Sequence, residues 1–371
     1  LLRLKFKVFS PAANSDRASE ELGKAVDDSR SLQRLWVADE HPLSDQLLGL
    51  LADRNIHLVS NRQDQVNRAH QAGVRAAFND FDLKHPDNAA WDCIFFRVAK
   101  EKAVVHQVIN SAAELLRDRG TLWLAGHKDE GTKTYLSKAE DLFGCKAMVK
   151  RGKEQLYIGH LELYKKGQAL PDDDYHQLRQ LQMKGQGGEE TYWTKPGLFG
   201  WKRIDQGSEF LAETLRKQLA DSKKDLSATR ILDLGCGYGY LANTAANLGA
   251  KEIVATDNCA AAILACRKNL VESECEEFQC LASDCAAEVL GKFDLILCNP
   301  PFHSGFSSNS ELHHRFIGAI KKKLKPEGQA LVVVNQFLRL QDLCEANGLV
   351  IVNQERDSQR HFDLYRLALK S

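Results

Sequence analysis

The stretch RILDLGCGYGYLA, residues 230–242, runs from an apolar segment through Gly235, Gly237 and Gly239 into a helical pattern. A strand that ends in such a loop and continues as a helix is typical of β-α-β units. The glycines there let the backbone approach a ligand closely. The spacing GxGxG alone is shared by several nucleoside-binding folds, including dehydrogenases. The stretch therefore predicts an α/β domain with a ligand at the carboxyl end of this strand.

Apolar runs alternate with helical patterns from about residue 229 onward. The runs are RILDL, EIVATD, FQCLASD, FDLILC and ALVVVN. Such alternation predicts a parallel sheet with helices on both faces. Two further runs, LVIVNQ and HFDLYRLAL, are joined by the polar ERDSQR and predict a closing antiparallel hairpin. The expected fold is α/β, with a seven-stranded and mostly parallel sheet.

The first half of the chain repeats this pattern in a weaker form. Its runs are LWVAD, IHLVSN, VRAAFND, WDCIFF and GTLWLAG, and WDCIFFRVAK aligns with FDLILCNPPF. The glycine loop and the Asn-Pro-Pro-Phe corner are absent from this copy. We therefore predict two tandem Rossmann-like domains, a degenerate one over 1–165 and a catalytic one over 191–371. The Gly-, Gln- and charge-rich segment 166–190 is interpreted as the linker between them.

The composition sets limits on location and partners. The chain has 371 residues, with 50 basic and 50 acidic side chains, so a nucleic-acid surface has to arise from local clustering of charge. No apolar run has the roughly 18 residues that span a bilayer, and the N-terminal LLRLKFKVF has no signal-peptide pattern. The 10 cysteines form no CxxC pair. A cytoplasmic protein with reduced thiols, no membrane association and no metal is expected.

Three aspartates follow successive predicted strands of the second half. Asp233 precedes the glycine loop, Asp257 ends IVATD and Asp284 ends CLASD. One such aspartate is more often a helix cap, but three at one sheet edge lie where ligands of open α/β sheets bind. A carboxylate at Asp233 suits an ammonium, one at Asp257 suits ribose hydroxyls, and one at Asp284 suits an adenine amine. S-adenosyl-L-methionine carries all three groups.

The corner CNPPF, residues 298–302, follows the fourth strand at the same edge. The amide oxygen of Asn299 and the carbonyl of Pro300 can accept hydrogen bonds from one planar amine, and Asn299 is also expected to contact the cofactor. Pro300 and Pro301 fix the backbone and remove N–H donors. Phe302 can stack on the ring that carries the amine. Holding both amine protons points the nitrogen lone pair at a methyl donor, which predicts N-methylation without a strong base.

DLGCGYG followed by CNPPF resembles the class I S-adenosylmethionine-dependent N-methyltransferases. CNPPFHSGF with the upstream PGLFGWKRIDQGSEFL is similar to the bacterial ribosomal RNA guanine-N2 methyltransferases, both those of type C, which act on the small ribosomal subunit, and those of type G, which act on the large one. The resemblance is strong over about residues 190–371 and architectural before that. It implies that the C-terminal domain is catalytic and that the N-terminal domain is a degenerate methyltransferase domain that helps bind RNA.

The resemblance also implies roles for residues outside the two motifs. The segment before the catalytic strand helps close the cofactor site in this family, which implies cofactor contacts for Phe199 and Asp205. The other residues that match this segment are Pro196, Gly197, Gly207 and Ser208. The final strand has Asp363 where the family often has a basic residue. His303 is interpreted either as a substrate contact or as a solvated loop residue.

The function that these observations favour is methylation of guanine N2 in ribosomal RNA, with 16S RNA preferred and 23S RNA the other choice. The partner is then ribosomal RNA or a ribosomal subunit. In the first domain, Arg97, Lys100 and Lys102 are predicted to contact RNA phosphates without reading sequence. One alternative keeps the cofactor but methylates a protein glutamine or a DNA adenine. A second alternative is an RNA-binding module without turnover.

Overall fold

The computed structural model describes residues 16–26, 32–185, 188–223, 225–273, 275–301 and 310–370. The chain divides into two compact units, Leu1–His176 and Gln177–Ser371. This division falls inside segment 166–190, the linker that the sequence predicts. Much of that segment is structured, because Tyr175 packs in the core of the first unit and residues from Arg179 onward form a strand of the second.

In the described part of the first unit, one sheet of seven strands is flanked by helices. The helices are α1 (Arg17–Gly23), α2 (Asp45–Asp53), α3 (Gln63–Gln71), α4 (Lys102–Leu115) and α5 (Thr132–Phe143). The strands are β1 (Arg34–Ala38), β2 (His57–Ser60), β3 (Ala76–Phe78), β4 (Trp91–Arg97), β5 (Leu116–His127), β6 (Met148–Arg151) and β7 (Leu156–Glu162). Their order is β3-β2-β1-β4-β5-β7-β6, with β7 antiparallel to both of its neighbours.

The second unit begins with a hairpin of β8 (Arg179–Gly185) and β9 (Gly188–Thr194). Its helices are α6 (Gln206–Ser222), α7 (Tyr240–Asn247), α8 (Ala260–Val271), α9 (Ser310–Lys323) and α10 (Leu340–Ala346). Its further strands are β10 (Arg230–Leu234), β11 (Glu252–Asp257), β12 (Glu277–Ala282), β13 (Phe293–Cys298), β14 (Leu324–Asn335), β15 (Leu349–Asp357) and β16 (Phe362–Leu369). Over the residues described, these seven strands form one sheet in the order β12-β11-β10-β13-β14-β16-β15.

The central strands of the second sheet are apolar on both faces because helices cover both sides. On β10, Ile231 packs into one hydrophobic cluster with α6, α7 and α8, and Leu232 packs into the opposite cluster with α9 and α10. Both side chains are fully buried. Each such burial stabilises the fold by about 1.5–3 kcal/mol. The continuous apolar runs of the sequence follow from this arrangement, since a strand covered on both faces has no solvent side.

The two sheets share an irregularity as well as a strand order. The pairing of β4 with β5 shifts register between Trp91 and Cys93, and the pairing of β13 with β14 shifts between Phe293 and Leu295. Equivalent strands of the two units therefore carry the same bulge. The predicted two tandem Rossmann-like domains, with the closing antiparallel hairpin of β15 and β16, are confirmed.

The shared register also shows which residues occupy equivalent places. Arg34 on β1 lies opposite Cys93, and Ile231 on β10 lies opposite Leu295. Cys93 and Leu295 both follow the bulge directly, so Arg34 is equivalent to Ile231. Two residues further along, Trp36 is therefore equivalent to Asp233. The first unit therefore has an indole where the second has the carboxylate that precedes its glycine loop.

The cysteines are packed, as predicted. All 10 are free thiols, and most of them are buried. Cys298 is fully buried, and burial raises the pKa of its thiol well above the ordinary value because the thiolate would lose its hydration. In the part of the chain that the structure describes, no helix is long and apolar enough to cross a membrane.

Candidate active site

The glycine loop connects β10 to α7 at the carboxyl edge of the second sheet. Gly235, Gly237 and Gly239 have φ angles of +80°, +54° and +90°, which glycine adopts without the strain of a Cβ atom. A Cβ on Gly239 would lie 2.7 Å from Cys266 Sγ, so this glycine is needed for packing on α8. A Cβ on Gly237 would meet nothing within 4 Å. The loop is therefore closed toward α8 at Gly239 and open toward a ligand at Gly237.

Asp233 lies under this loop and is 1% exposed. Its Oδ2 accepts a hydrogen bond from the backbone N–H of Ala242 at 2.9 Å, in the first turn of α7. Its Oδ1 is buried and has no hydrogen-bond partner among the described residues. Burial, with a smaller contribution from the charge of Asp257, raises the pKa of this carboxyl to about 7. A buried acceptor with an unused oxygen suits a cationic ligand group, such as the ammonium predicted for this position.

Asp257 ends β11 beside the loop, and both of its oxygens accept backbone hydrogen bonds. Oδ2 accepts from the N–H of Gly237 at 3.0 Å, and Oδ1 accepts from the N–H of Cys259 at 2.9 Å. Asp257 thus ties the glycine loop to the start of α8. Each carboxylate oxygen has more than one lone pair, so a contact with ribose hydroxyls remains compatible with these bonds.

Asp284 lies two residues beyond β12, at the same edge of the sheet. Its carboxylate forms an ion pair with Arg315 on α9. The contact predicted for Asp284, with an adenine amine, therefore shares this carboxylate with a guanidinium. Sequence spacing gave no sign of this pairing, because the two residues lie on separate elements.

Asn299 follows β13 directly and lies next to the start of α6. Its Nδ2 donates to Asp205 Oδ2 at 2.7 Å and to Ser208 Oγ at 2.8 Å. Pro300 is buried and Pro301 is exposed. Phe302 and His303, the predicted stacking residue and substrate contact, lie outside the described residues. The structure thus brings Asn299 together with the start of α6, a contact that the sequence does not indicate because the two lie in separate motifs.

Two of the predicted cofactor contacts, Phe199 and Asp205, lie in the segment 196–208. Phe199 is 55% exposed, so its ring presents an apolar surface to solvent or to a ligand. Asp205 is the N-cap of α6 and accepts from the backbone N–H of Ser208 at 2.9 Å. The Oδ2 of Asp205 therefore already accepts hydrogen bonds from a backbone N–H and from Asn299.

The hairpin of β8 and β9 is fixed to the site by a residue that sequence reasoning missed. The backbone N–H of Trp193 donates to Asn269 Oδ1 at 2.7 Å. Asn269 Nδ2 in turn donates to the carbonyls of Trp193 and Tyr238, at 2.9 and 2.7 Å. An asparagine inside a helical pattern carries no signal for such a role. Asn269 thus connects the hairpin, α8 and the glycine loop.

In the first unit, Arg97 occupies the place of Asn299 and is 3% exposed. Its guanidinium donates to Asp16 at 3.1 Å, to Glu130 at 2.8 Å and to the carbonyl of Val98 at 2.6 Å. The prediction that Arg97 contacts RNA phosphates is therefore wrong, because its donors are used inside the unit. Burial raises the pKa of Glu130, but Arg97, together with the backbone N–H of His127 and the charge of His41, holds this pKa below the ordinary value.

The other two predicted RNA contacts lie on the surface. Lys100 is 74% exposed at its side chain and pairs with Glu40 at 2.8 Å. Lys102, the first residue of α4, is exposed. In the second unit, Asp363 is 1% exposed and accepts two hydrogen bonds from Arg356, at 2.7 and 2.9 Å. The basic side chain in this part of the sheet is therefore Arg356 on β15, and Asp363 on β16 is its acidic partner.

Comparisons with known proteins agree with this geometry. Residues 189–363 match the model of the methyltransferase small domain. The chain is 29% identical over 262 residues to ribosomal RNA small subunit methyltransferase C of Marinomonas sp. (strain MWYL1), covering 69% of this chain and 71% of that protein. It is 28% identical over 321 residues to the protein of the same name from Shewanella pealeana, covering 85% and 87%.

A solved structure is similar over both units. It is the T. thermophilus 16S rRNA N2 G1207 methyltransferase (RsmC) in complex with AdoMet and guanosine. The TM-score is 0.80 at 26% identity, and the match covers 97% of this chain and 93% of that one. The fold and the site thus define a methyltransferase of the α/β class. Within that class, residues 189–363 match the methyltransferase small domain, and the predicted resemblance to the type C enzymes of the small ribosomal subunit is confirmed.

The residues present fit S-adenosylmethionine, the cofactor of this class. The unpartnered Oδ1 of Asp233 is placed to accept from an ammonium, and the open side of Gly237 admits a ligand against the backbone. Asp257 would hold the ribose. Within the described ranges, no group of three or more His, Cys, Asp and Glu side chains has the arrangement of a metal site.

Cofactor binding is expected to depend on pH through Asp233. Its carboxyl has a pKa of about 7, so below that pH a proton has to leave before the carboxylate pairs with the cofactor ammonium. We expect the affinity for S-adenosylmethionine to rise between about pH 6 and 7.5, by up to about tenfold per pH unit at the acidic end. Calorimetric titration across this range measures it. Asp233→Asn should bind more weakly and flatten the profile; an unchanged slope in that variant would refute the assignment.

Proposed function

We propose that this protein transfers a methyl group from S-adenosylmethionine to N2 of a guanine in 16S ribosomal RNA, in the cytoplasm. The observation that carries the proposal is the orientation of Asn299, whose amide nitrogen faces Asp205 and Ser208. Its amide oxygen is therefore presented as an acceptor for an amine. The choice of RNA rests on the similarity, over both units, to a protein described as a 16S rRNA N2 methyltransferase.

The chain's own residues act on the amine of the substrate. When bound, S-adenosylmethionine supplies an electrophilic methyl group. Asn299 Oδ1 and the carbonyl of Pro300 accept the two amine protons as hydrogen bonds. These bonds draw the lone pair of the nitrogen out of conjugation with the ring, so that it can bond to the methyl carbon as the carbon–sulfur bond breaks. The proton that the methylated amine then gives up leaves to solvent. Acceptors that are already positioned reorganise little during the reaction, which lowers the barrier.

Two neighbouring activities are less well supported. A large-subunit RNA target is disfavoured because the similar proteins from Marinomonas and Shewanella are named small-subunit enzymes. Acceptors such as a protein glutamine or a DNA adenine would use the same corner. They are disfavoured because the similarity to RsmC extends through the first unit and is not confined to the catalytic one.

The deciding experiment is methyl transfer in vitro. The purified chain is incubated with methyl-labelled S-adenosylmethionine and either naked 16S RNA, 30S subunits, 23S RNA or DNA. Nucleoside digests are expected to show N2-methylguanosine from a small-subunit substrate. Label appearing only in 23S RNA, in DNA or in protein would replace the proposed substrate. A titration is expected to give one cofactor per chain, since Trp36 and Arg97 fill the equivalent place in the first unit.

We propose further that the first unit helps hold RNA through exposed basic side chains such as Lys102. Lysine contacts to phosphate are lost as salt rises, because counterions are released when the contact forms. Lys102→Glu is expected to weaken RNA binding for all sequences alike and to reduce the slope of log K against log salt by about one. Fluorescence anisotropy at several salt concentrations measures this slope. A slope equal to that of the unmodified chain would show that Lys102 does not contact RNA phosphates.

A further inference from the structure

The amide of Asn299 is held by two acceptors at the start of α6. Nδ2 lies 2.7 Å from Asp205 Oδ2 and 2.8 Å from Ser208 Oγ. An amide nitrogen has two N–H groups, so these two contacts use both. The same oxygen of Asp205 caps α6 by accepting from the backbone N–H of Ser208 at 2.9 Å. The acceptors are therefore fixed by the helix and do not depend on a bound ligand.

A carboxylate distinguishes the two ends of an amide because, when ionised, it only accepts hydrogen bonds. If Asn299 were turned end for end, Oδ1 would face Asp205 Oδ2 and two acceptors would be in contact. Leaving such polar atoms without a donor is unfavourable, because they lose their hydration and gain no hydrogen bond in return. The observed orientation is therefore strongly favoured, and it directs Oδ1 away from α6.

The residue between these acceptors is a glycine for a steric reason. A Cβ on Gly207 would lie 3.0 Å from the ring of Phe362 and 3.1 Å from Asp205 Oδ2. Any larger residue would press on the carboxylate that holds Asn299. In the sequence DQGS, residues 205–208, Asp205, Gly207 and Ser208 therefore all contribute to holding the Asn299 amide in place.

We infer that Asp205 and Ser208 are positioning residues for methyl transfer, which act by setting the end-for-end orientation of the Asn299 amide. This role differs from the cofactor contact that the family resemblance implied for Asp205. The inference rests on the proposed function, since the group that Oδ1 accepts from is the substrate amine. It assigns to the start of α6 a part in the reaction, although α6 and the catalytic corner are far apart in the sequence.

The test compares two substitutions at Asp205. Serine caps a helix well, but its shorter side chain does not reach Asn299, so Asp205→Ser removes only the orienting contact. Asparagine keeps an oxygen at the same distance, so Asp205→Asn is the conservative rescue. We expect kcat to fall by about 10–100-fold in Asp205→Ser and in Ser208→Ala, and by less than about threefold in Asp205→Asn. Cofactor Kd should stay the same in all three.

Matched controls and a double-mutant cycle separate positioning from other roles. Ser222→Ala, at the exposed end of α6, controls for Ser208→Ala. In the background of Asn299→Ala, Asp205→Ser should have no further effect on kcat, because the group that it orients is gone. Additive losses would overturn the inference. So would equal weakening of cofactor binding in Asp205→Asn and Asp205→Ser, which would mark Asp205 as a cofactor ligand.

Hydrogen exchange of the Asn299 side chain can be measured without RNA, so it tests this inference separately from the proposed function. The side-chain NH2 resonance of Asn299, assigned by its loss in Asn299→Ala, should exchange slowly with water in the unmodified chain and in Asp205→Asn. It should exchange faster in Asp205→Ser and in Ser208→Ala. Equal exchange in all four proteins would overturn the inference. Absence of RNA methylation by the unmodified chain would instead overturn the proposed function.

Discussion

Replacing Asn299 with alanine is expected to lower kcat for methyl transfer by about 10²–10³-fold. The substitution removes an acceptor proposed to act on the amine, whereas most of the contacts proposed for the cofactor are at other residues, among them Asp233, Asp257 and the glycine loop. The Kd for S-adenosylmethionine should therefore change little. Single-turnover kinetics under saturating cofactor measures the chemical step directly.

Asn353→Ala is the matched control, because Asn353 is exposed on β15, away from this corner. Its kinetics should equal those of the unmodified chain. The proposed role of Asn299 would be refuted by an alanine variant that retains full kcat. It would also be refuted by a variant whose loss of activity is restored by excess cofactor, since that result would place Asn299 in cofactor binding.

Replacing Arg97 with methionine is expected to destabilise the first unit by about 3–5 kcal/mol. Arg97 pairs with Asp16 and Glu130, whose side chains are only 11% and 19% exposed. Methionine fills a similar volume and leaves these two carboxylates without their cation. Thermal unfolding monitored by calorimetry should show a transition lowered by several degrees, while cofactor binding by the second unit persists.

The sign of the pH dependence gives a second check on Arg97. Burial raises the pKa of Asp16, but Arg97 outweighs it and holds this pKa below the ordinary value. Without Arg97 the carboxylates are expected to take up protons more readily, so the deficit in stability should be smaller at about pH 5 than at about pH 8. Lys100→Ala is the control, because its surface pair with Glu40 is worth at most about 1 kcal/mol. Equal stability of the two variants would show that the buried pairs contribute nothing.

The parts of the site that were predictable from sequence are those whose chemistry is local. A glycine loop, an aspartate at a strand end and an Asn-Pro-Pro corner can each be recognised within a few residues. The edge of the sheet then brings them together, because parallel strands end on the same side. For this reason the sequence alone places Asp233, Asp257 and Asn299 at one edge of the second sheet.

The parts that were not predictable depend on side chains far apart in sequence. Arg97 ends a strand, as a phosphate contact would, but its partners Asp16 and Glu130 lie 81 and 33 positions away. Asp205 and Asn299 are separated by 94 positions. Hydrophobic periodicity specifies which face of a strand is buried, but it does not specify which polar groups meet at its end. A buried arginine and an exposed one therefore look alike in the sequence.

Trp36 makes the first unit intolerant of the aspartate that stands at the equivalent place in the second unit. Its indole is fully buried and stacks on Phe95 with ring centroids 5.8 Å apart. Restoring a carboxylate there would open a cavity and bury an unpaired charge, at a cost comparable to the stability of a whole domain. Asparagine in place of Arg97 would carry a similar penalty, because Asp16 and Glu130 would lose their cation. Changes at either position are therefore costly, so the substitutions that the first unit tolerates best are those on its surface.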